Sequence, residues 1–282
     1  MKLRKLFAGL LAALLIVSSF AAFAAEIPAP DGDNKIAIGV TEVPHAEIVN
    51  AVVKGALEEA GWEVDVVTFT DYVLPNTALE DGELDANYFQ TIRYLQEQNE
   101  VRGLHLVDVL GIHLKPMGVY AGTGKDYASV EDIPDGASIA IPNDGSNESR
   151  ALKPLADNGL ITLSETEDLY DLTNVAENPK NLELVELAAE EITHHLEDVD
   201  AGVINGNYAL EAGLNPGEDA LTLEAADSDE SYKYINYLVV KEGNEDSVKT
   251  QALIAAFATQ EVVDFINETY TGSVIPSADL VG

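Results

Sequence analysis

The spacing of apolar residues between Lys35 and Phe69 constrains the fold of this chain more than any other feature. Residues 35–40 alternate as a strand does, and residues 64–69 have the same character. Between them, apolar side chains recur at intervals of three and four, the pattern of an amphipathic helix (Ile48, Val49, Val52, Val53, Ala56, Leu57 and Ala60). Strand, helix and strand in this order predict a parallel βαβ unit.

A second α/β block is predicted after residue 134. Residues 138–142 form a short buried-type strand, and a loop with an N-cap residue leads into a helix over about 148–156, which Pro154 is expected to kink or shorten. The other predicted strands lie near 85–89, 104–120, 182–185, 201–204 and 232–240, and the other predicted helices lie near 91–98, 188–196, 248–258 and 261–270. We therefore expect an α/β protein with two lobes, whose C-terminal elements return to the first lobe.

The net charge of −35, from 50 acidic and 15 basic residues, argues against nucleic acid or anionic lipid as a partner. Neither of the Gly-rich phosphate-binding patterns, GxxxxGK[ST] and GxGxxG, occurs in the sequence, and the GxSxG pattern of serine hydrolases is absent too. With no cysteine, the chain has no thiol nucleophile and no disulfide. These patterns give little support to an enzyme, and no cofactor is expected.

The first residues have the form of a targeting segment. Lys2, Arg4 and Lys5 precede an apolar run over 6–20, and small residues follow at 22–24. We expect residues 1–24 to be a signal peptide and 25–34 a flexible leader; an uncleaved membrane anchor is the alternative. The expected product is exported, periplasmic or extracellular, and soluble.

Arg150 and Asn147 are the strongest candidates for a binding site. Three residues apart near the predicted helix start, they share one helix face. A helix N-terminus beside an arginine favours a carboxylate ligand, since dipole, free N–H groups and guanidinium all attract an anion. The alternative is an ordinary surface salt bridge to a nearby acid, and these residues alone leave both open.

Two further patterns are compatible either with a binding site or with an ordinary structural role. Glu190 and His194, four residues apart on a predicted helix, are able to share a metal ion, but a solvated acidic helix face is the expectation we favour. The aromatic residues Tyr88, Phe89 and Tyr94 are able to wall a pocket, although aromatic side chains in a strand–helix unit more often belong to the core.

Five long motifs resemble the methionine-binding lipoprotein family of ABC-importer substrate-binding proteins. They are TDYVLPN at 70–76, DGELDANYFQ at 81–90, AIPND at 140–144, ENPKNL at 177–182 and DVDAGVINGNYA at 198–209. The resemblance covers about residues 35–276. It implies a two-lobed periplasmic-binding-protein fold of type II character, with hinge strands and a central ligand cleft. It places 35–114 and 238–282 in lobe one and 115–237 in lobe two.

The same resemblance implies roles for individual residues. Arg150 would hold the ligand carboxylate with help from Asn147, while Asn205 and Asn236 would bind the amino-acid backbone. The residues expected around the ligand side chain are Tyr72, Phe89 and Tyr94. The implied ligand is L-methionine or a related small amino acid, and the implied partner is an ABC-transporter permease. We expect a monomer.

Two departures from the family pattern bear on these expectations. Family members usually carry a lipid-bearing cysteine after the signal sequence, and this chain has none, so membrane tethering is not expected. The usual Phe-Gln-His of the family is Phe89-Gln90-Thr91 here, which makes Thr91 a candidate for altered side-chain preference. The rival functions are a metal-capturing binding protein and an extracytoplasmic enzyme acting on amino acids.

The signal-peptide hypothesis predicts a mature protein that starts at Ala25 or Glu26 and is released in soluble form. N-terminal sequencing of secreted material measures this directly. An intact Met1 in the membrane fraction would show instead that the segment is an uncleaved anchor.

Overall fold

The computed structural model describes residues 26–166, 169–225 and 231–280; the predicted signal peptide lies outside them. The strands are β1 Lys35–Thr41, β2 Glu63–Phe69, β3 Ala86–Thr91, β4 Leu106–Leu114, β5 Gly118–Ala121, β6 Ser138–Pro142, β7 Thr162–Leu163, β8 Val175–Glu177, β9 Glu183–Leu187, β10 Ala201–Ile204, β11 Ala220–Leu223, β12 Ile235–Lys241 and β13 Ile275–Pro276. The α-helices are α1 Lys54–Glu59, α2 Leu74–Glu80, α3 Ile92–Arg102, α4 Gly145–Asp157, α5 Gly206–Glu211, α6 Pro216–Asp219, α7 Val248–Phe257 and α8 Gln260–Tyr270. Wider turns at Glu42–Ala46 and Val49–Val53 precede α1, and 3₁₀ turns lie at Val130–Asp132, Leu172–Asn174, Ala189–His195, Ser231–Tyr234 and Ala278–Leu280.

Two sheets form the centres of two lobes. The first has the strand order β13-β4-β12-β3-β1-β2, and the second has the order β11-β5-β10-β6-β9. In the first sheet β1 runs parallel to both β2 and β3, which confirms the predicted βαβ unit. In the second sheet β6 runs parallel to β9 and β10. The fold is therefore the expected two-lobed α/β architecture.

The chain passes between the two sheets twice. The first crossing lies between β4 and β5, where sequence analysis gave one continuous strand region over 104–120. The interruption falls at Pro116, which has no backbone N–H for a sheet ladder. The second crossing lies between β11 and β12. Ile235 pairs with Leu114, so all of β12 belongs to the first sheet, including residues 235–237 that sequence analysis placed in the second lobe.

Separate apolar cores lie under the two sheets. The first lobe buries Ile38, Val40 and Phe257 completely, and the second buries Ile139 and Leu152 completely. Burial of each such side chain contributes about 1.5–3 kcal/mol, so each lobe has its own source of stability.

Part of the segment expected to be a flexible leader contacts the first lobe. Ile27 packs against the core of that lobe, and the indole Nε1 of Trp62 donates to the carbonyl oxygen of Pro28 at 2.8 Å. Within the described residues, no helix is long and apolar enough to cross a membrane.

Helix α4 starts at Gly145, three residues before the predicted start, because Asp144 rather than a later residue is its N-cap. The carboxylate of Asp144 accepts from the backbone N–H of Asn147 at 2.9 Å. Pro154 lies inside the helix, which continues to Asp157. The early start places Asn147 in the first turn of the helix and Arg150 in the second.

Candidate ligand-binding cleft

A cleft with about 320 Å³ of empty space lies between the lobes, at the carboxyl ends of the parallel strands of both sheets. All eight residues predicted for a ligand site line it, together with four that sequence analysis did not select. The lining consists of Tyr72, Phe89, Gln90, Thr91, Tyr94, Lys115, Asn147, Arg150, Asn205, Gly206, Asn207 and Asn236.

Three aromatic rings from the first lobe form one wall of the cleft. Tyr72 lies 5.7 Å from Phe89 and 5.6 Å from Tyr94, measured between ring centroids. Tyr88 points to the opposite face of β3 and packs against Phe257 in the core. The alternation of a strand thus separates neighbours that sequence analysis grouped together: Phe89 belongs to the cleft and Tyr88 to the core.

Thr91 joins β3 to α3 and caps that helix. Its hydroxyl accepts from the backbone N–H of Tyr94 at 3.2 Å, and its side chain borders the cleft. The residue at position 91 therefore both shapes the pocket and fixes the first turn of the helix that carries Tyr94.

The guanidinium of Arg150 is buried and already partly engaged. Its Nε lies 3.1 and 3.0 Å from the two carboxylate oxygens of Glu224, and its Nη2 lies 2.5 Å from Glu224 Oε2 and 2.8 Å from the carbonyl oxygen of Lys115. The ring of Tyr234 stacks on the same group, with the guanidinium carbon 4.2 Å from the ring centroid. Arg150 therefore makes an ion pair, as the alternative interpretation proposed, but the pair is buried at the cleft.

Nη1 of that guanidinium is the nitrogen that is not committed to a described protein acceptor. Among contacts between described residues, Nη1 of Arg150 takes part in no hydrogen bond, whereas Nε and Nη2 donate to Glu224 and to Lys115. A single planar cation thus has its Nε edge paired with protein and its Nη1 free for an anion in the cleft.

The N-terminus of α4 does not offer free N–H groups to a ligand, and that part of the prediction is wrong. Glu97, on α3 of the first lobe, accepts from the backbone N–H of Gly145 at 3.0 Å and of Ser146 at 2.9 Å. Asp144 accepts from the next amide, that of Asn147. A β-carbon at position 145 would lie 2.9 Å from Glu97 Oε1, so glycine permits this close approach. The helix dipole therefore attracts a carboxylate of the protein itself, across the lobes.

A relay of amides leads from Asp144 to the cleft. Nδ2 of Asn147 donates to the two oxygens of Asp144 at 2.9 and 3.0 Å, and Nδ2 of Asn205 donates to Oδ1 of Asn147 at 2.7 Å. Burial raises the pKa of Asp144 to about 6, against the opposing effect of these hydrogen bonds. Oδ1 of Asn205 is buried and has no hydrogen-bond partner among the described residues. The relay fixes Asn205 with an unused acceptor beside the cleft.

A lysine that sequence analysis missed, Lys115, lines the floor of the cleft. Nζ of Lys115 lies 2.7 Å from Oδ1 of Asn236, 2.9 Å from Nε2 of His45 and 3.0 Å from Nε2 of His113. Burial is the main cause that lowers the pKa of Lys115 and of both histidines. The available sequence signal was a single lysine inside the otherwise apolar stretch around the first crossing.

Two tyrosine hydroxyl groups also form hydrogen bonds between the lobes. The hydroxyl of Tyr72 donates to Oδ1 of Asn207 at 2.5 Å, and the hydroxyl of Tyr208 donates to the carbonyl oxygen of Thr70 at 3.3 Å. Together with Glu97, these contacts connect the first lobe to the second on either side of the cleft.

The histidines do not assemble a metal centre in the part of the chain that is described. Glu190 and His194 lie on the 3₁₀ turn Ala189–His195, and no group of three or more potential metal-ligating side chains is found among residues 26–166, 169–225 and 231–280.

Comparison with known proteins identifies the relatives of the chain. The model of the NlpA lipoprotein family matches residues 36–278. The chain is 38% identical to the methionine-binding lipoprotein MetQ of Bacillus subtilis over 98% of this chain and 100% of the relative. A nutrient-binding protein from Burkholderia cenocepacia, solved bound to methionine, is 40% identical with a TM-score of 0.80 over 86% of this chain and 99% of that one. The substrate-binding protein of a methionine transporter from Streptococcus pneumoniae is 34% identical with a TM-score of 0.81, over 86% and 96%.

The contact between Glu97 and the N-terminus of α4 predicts an effect on closure. Glu97→Ala removes two charge-assisted hydrogen bonds between the lobes, each worth about 1.5–3 kcal/mol. We expect a larger radius of gyration for the unliganded variant in small-angle X-ray scattering. Glu100→Ala, at an exposed position on the same helix, is the matched control. Equal radii for the two variants would show that Glu97 does not hold the lobes together.

Proposed function

The chain belongs to the NlpA lipoprotein family, and on that premise we propose that it captures L-methionine or a related small amino acid for an ABC importer. In this function the protein is an extracytoplasmic substrate-binding protein without catalytic activity. It carries the ligand between its two lobes to a membrane permease and acts as a monomer without a cofactor.

One observation supports the proposed ligand above all: the cleft sets an arginine edge opposite an aromatic wall. The carboxylate of an amino acid would bind Nη1 of Arg150, and its α-substituent would donate to Oδ1 of Asn205. The side chain would lie among Tyr72, Phe89 and Tyr94. A thioether makes favourable contacts with aromatic rings, of about 0.3–1.5 kcal/mol each, which favours methionine over aliphatic side chains of equal length.

Asn147 and Asn236 contribute to this site indirectly in our proposal. Both amide groups are engaged by protein: Asn147 with Asp144 and Asn205, and Asn236 with Lys115 and the carbonyl oxygen of Tyr234. Asn147 would therefore orient Asn205 rather than assist Arg150 with the carboxylate. Asn236 would hold Lys115 rather than bind the amino-acid backbone as the family resemblance implies.

Capture requires no chemistry in this mechanism. A ligand that contacts Arg150 from the second lobe and the aromatic wall from the first binds the closed form better than the open one. Closure of the lobes then shields the ligand and presents one surface to the permease.

We also propose export of the protein without a lipid anchor. The sequence contains no cysteine, so the thiol that carries lipid in lipoproteins of this family is missing from it. The cationic and apolar segments of residues 1–24 support export by signal cleavage.

The role of Arg150 predicts a loss of affinity on conservative substitution. Arg150→Lys retains a cation for Glu224 but cannot supply a planar group with separate edges for Glu224 and for a ligand. We expect L-methionine to bind about tenfold more weakly or worse in isothermal titration calorimetry.

Two controls separate a binding effect from a folding effect. Arg150→Ala also leaves Glu224 buried without a cation, so its lower unfolding midpoint is expected and its binding is compared only at temperatures where it is folded. Lys125→Met changes an exposed lysine of the same lobe and should bind as the wild type does. Binding by Arg150→Lys and Arg150→Ala within about threefold of wild type would place the carboxylate elsewhere.

The side chain at position 91 is expected to affect how much more tightly methionine binds than other amino acids do. Thr91→His returns the larger ring of the family pattern, and we expect it to change the ranking of L-methionine against other amino acids by about 1–3 kcal/mol. Competitive calorimetry on ligand-stripped protein measures the ranking. Thr91→Ser retains the cap on α3 and is the control; an unchanged ranking in Thr91→His would remove position 91 from the determinants of specificity.

A further inference from the structure

We infer that Lys115 sets the charge class of the ligand, and that the cleft holds the 2-hydroxy acid with the methionine skeleton at least as tightly as the zwitterionic amino acid. This inference rests on the proposed function and specifies the substrate class within it. Lys115 and Arg150 line the cleft, and none of the described residues that line it is acidic.

The surroundings of Lys115 match an ammonium ion. Its Nζ lies within 3.0 Å of three atoms able to accept a hydrogen bond: Oδ1 of Asn236, Nε2 of His45 and Nε2 of His113. An ammonium ion has three protons to donate, so three acceptors satisfy it fully.

The contacts of the two histidine Nδ1 atoms are consistent with an ammonium form of Lys115. Nδ1 of His45 lies 2.7 Å from the hydroxyl oxygen of Thr41, and Nδ1 of His113 contacts the hydroxyl of Tyr88. A proton on Nδ1 of each ring would be donated to that hydroxyl and would leave Nε2 as an acceptor toward Lys115. Nε2 of His45 also lies 3.0 Å from Oδ1 of Asn236, so the other tautomer of His45 would donate to Asn236 instead. Burial and the nearby Lys115 both lower the pKa of His45 and His113, in agreement with neutral rings.

Within the part of the chain that the structure describes, no hydrogen-bond partner of Lys115 is a carboxylate. The carboxylate of Glu224, which borders the cleft region, is committed to Arg150 and to the backbone N–H of Met117. Glu211 influences Lys115 only through the longer-range Coulomb interaction, and the positive charge of Arg150 opposes it. Burial and the charge of Arg150 lower the pKa of Lys115, so its ammonium form carries a substantial desolvation cost, and the carboxylate of an anionic ligand would stabilise that form.

A zwitterion and an anion meet this cleft differently. Both supply a carboxylate to Arg150 and Lys115, but the α-ammonium of an amino acid adds a third positive charge, and like charges in a desolvated site repel strongly. The unused acceptor in the cleft is the neutral Oδ1 of Asn205, to which an α-hydroxyl donates equally well without a charge. The cleft therefore gains little from the α-ammonium and opposes it through Lys115.

The test compares two ligands of one skeleton, L-methionine and L-2-hydroxy-4-(methylthio)butanoate, by calorimetry at neutral pH on ligand-stripped protein. We expect the wild type to bind the hydroxy acid at least as tightly as L-methionine. Lys115→Met should shift the ratio of the two dissociation constants by about tenfold or more toward L-methionine, since the repelling charge is gone. Lys125→Met, the same substitution at an exposed lysine, should leave the wild-type ratio unchanged.

The outcomes distinguish this inference from the function on which it rests. If L-methionine binds the wild type more than about tenfold better than the hydroxy acid does, the inference is wrong and the transport function stands. The same holds if Lys115→Met leaves the ratio unchanged; should that variant not fold, Lys115→Gln replaces it, and the wild-type ratio still decides. If neither ligand binds the wild type, the proposed function fails and the inference with it.

Discussion

The guanidinium of Arg150 holds together the two places where the chain passes between the lobes. At the first crossing it donates to the carbonyl oxygen of Lys115. At the second crossing it donates to the carboxylate of Glu224 and stacks on the ring of Tyr234. Glu224 in turn accepts from the backbone N–H of Met117, beside the first crossing. Because the same side chain borders the cleft, an anion bound at Nη1, as we propose, would act directly on the two crossings. In the proposed function, ligand binding and lobe closure would therefore share one group.

The electrostatics of the cleft contrast with those of the whole chain. The protein carries a net charge of −35, yet the described residues that line the cleft include two basic side chains, Lys115 and Arg150, and no acidic one. The acids nearest to them have structural tasks: Glu224 pairs with Arg150, Glu97 caps α4 across the lobes, and Asp144 anchors the amide relay. Committing these carboxylates to protein donors leaves a positive site inside an acidic protein, which selects anionic groups and repels cations.

Local patterns in the sequence predicted the strands and helices of the sheets, but they did not predict the side-chain pairs around the cleft. The period-two and period-3.6 patterns around β1 and β2 are local, so the βαβ unit followed from them. Arg150 and Asn147 were indicated by the predicted helix start, the other six predicted lining residues came from the family resemblance, and all eight border the cleft. Their contacts did not follow: Glu97 caps a helix in the other lobe 48 residues away, and Arg150 pairs with Glu224 74 residues away. Among many acids, no local signal distinguishes these two, and only the fold brings them to their partners.

The central claim, that the cleft holds an amino acid by its carboxylate and its side chain, is tested most directly by a crystal structure of the protein with L-methionine. The account predicts one ligand between the lobes, with its carboxylate within hydrogen-bond distance of Nη1 of Arg150. Its thioether should lie against Tyr72, Phe89 and Tyr94, and Glu224 should keep its place on the other edge of the guanidinium. A ligand bound elsewhere, or one in this cleft whose carboxylate points away from Arg150, would contradict it.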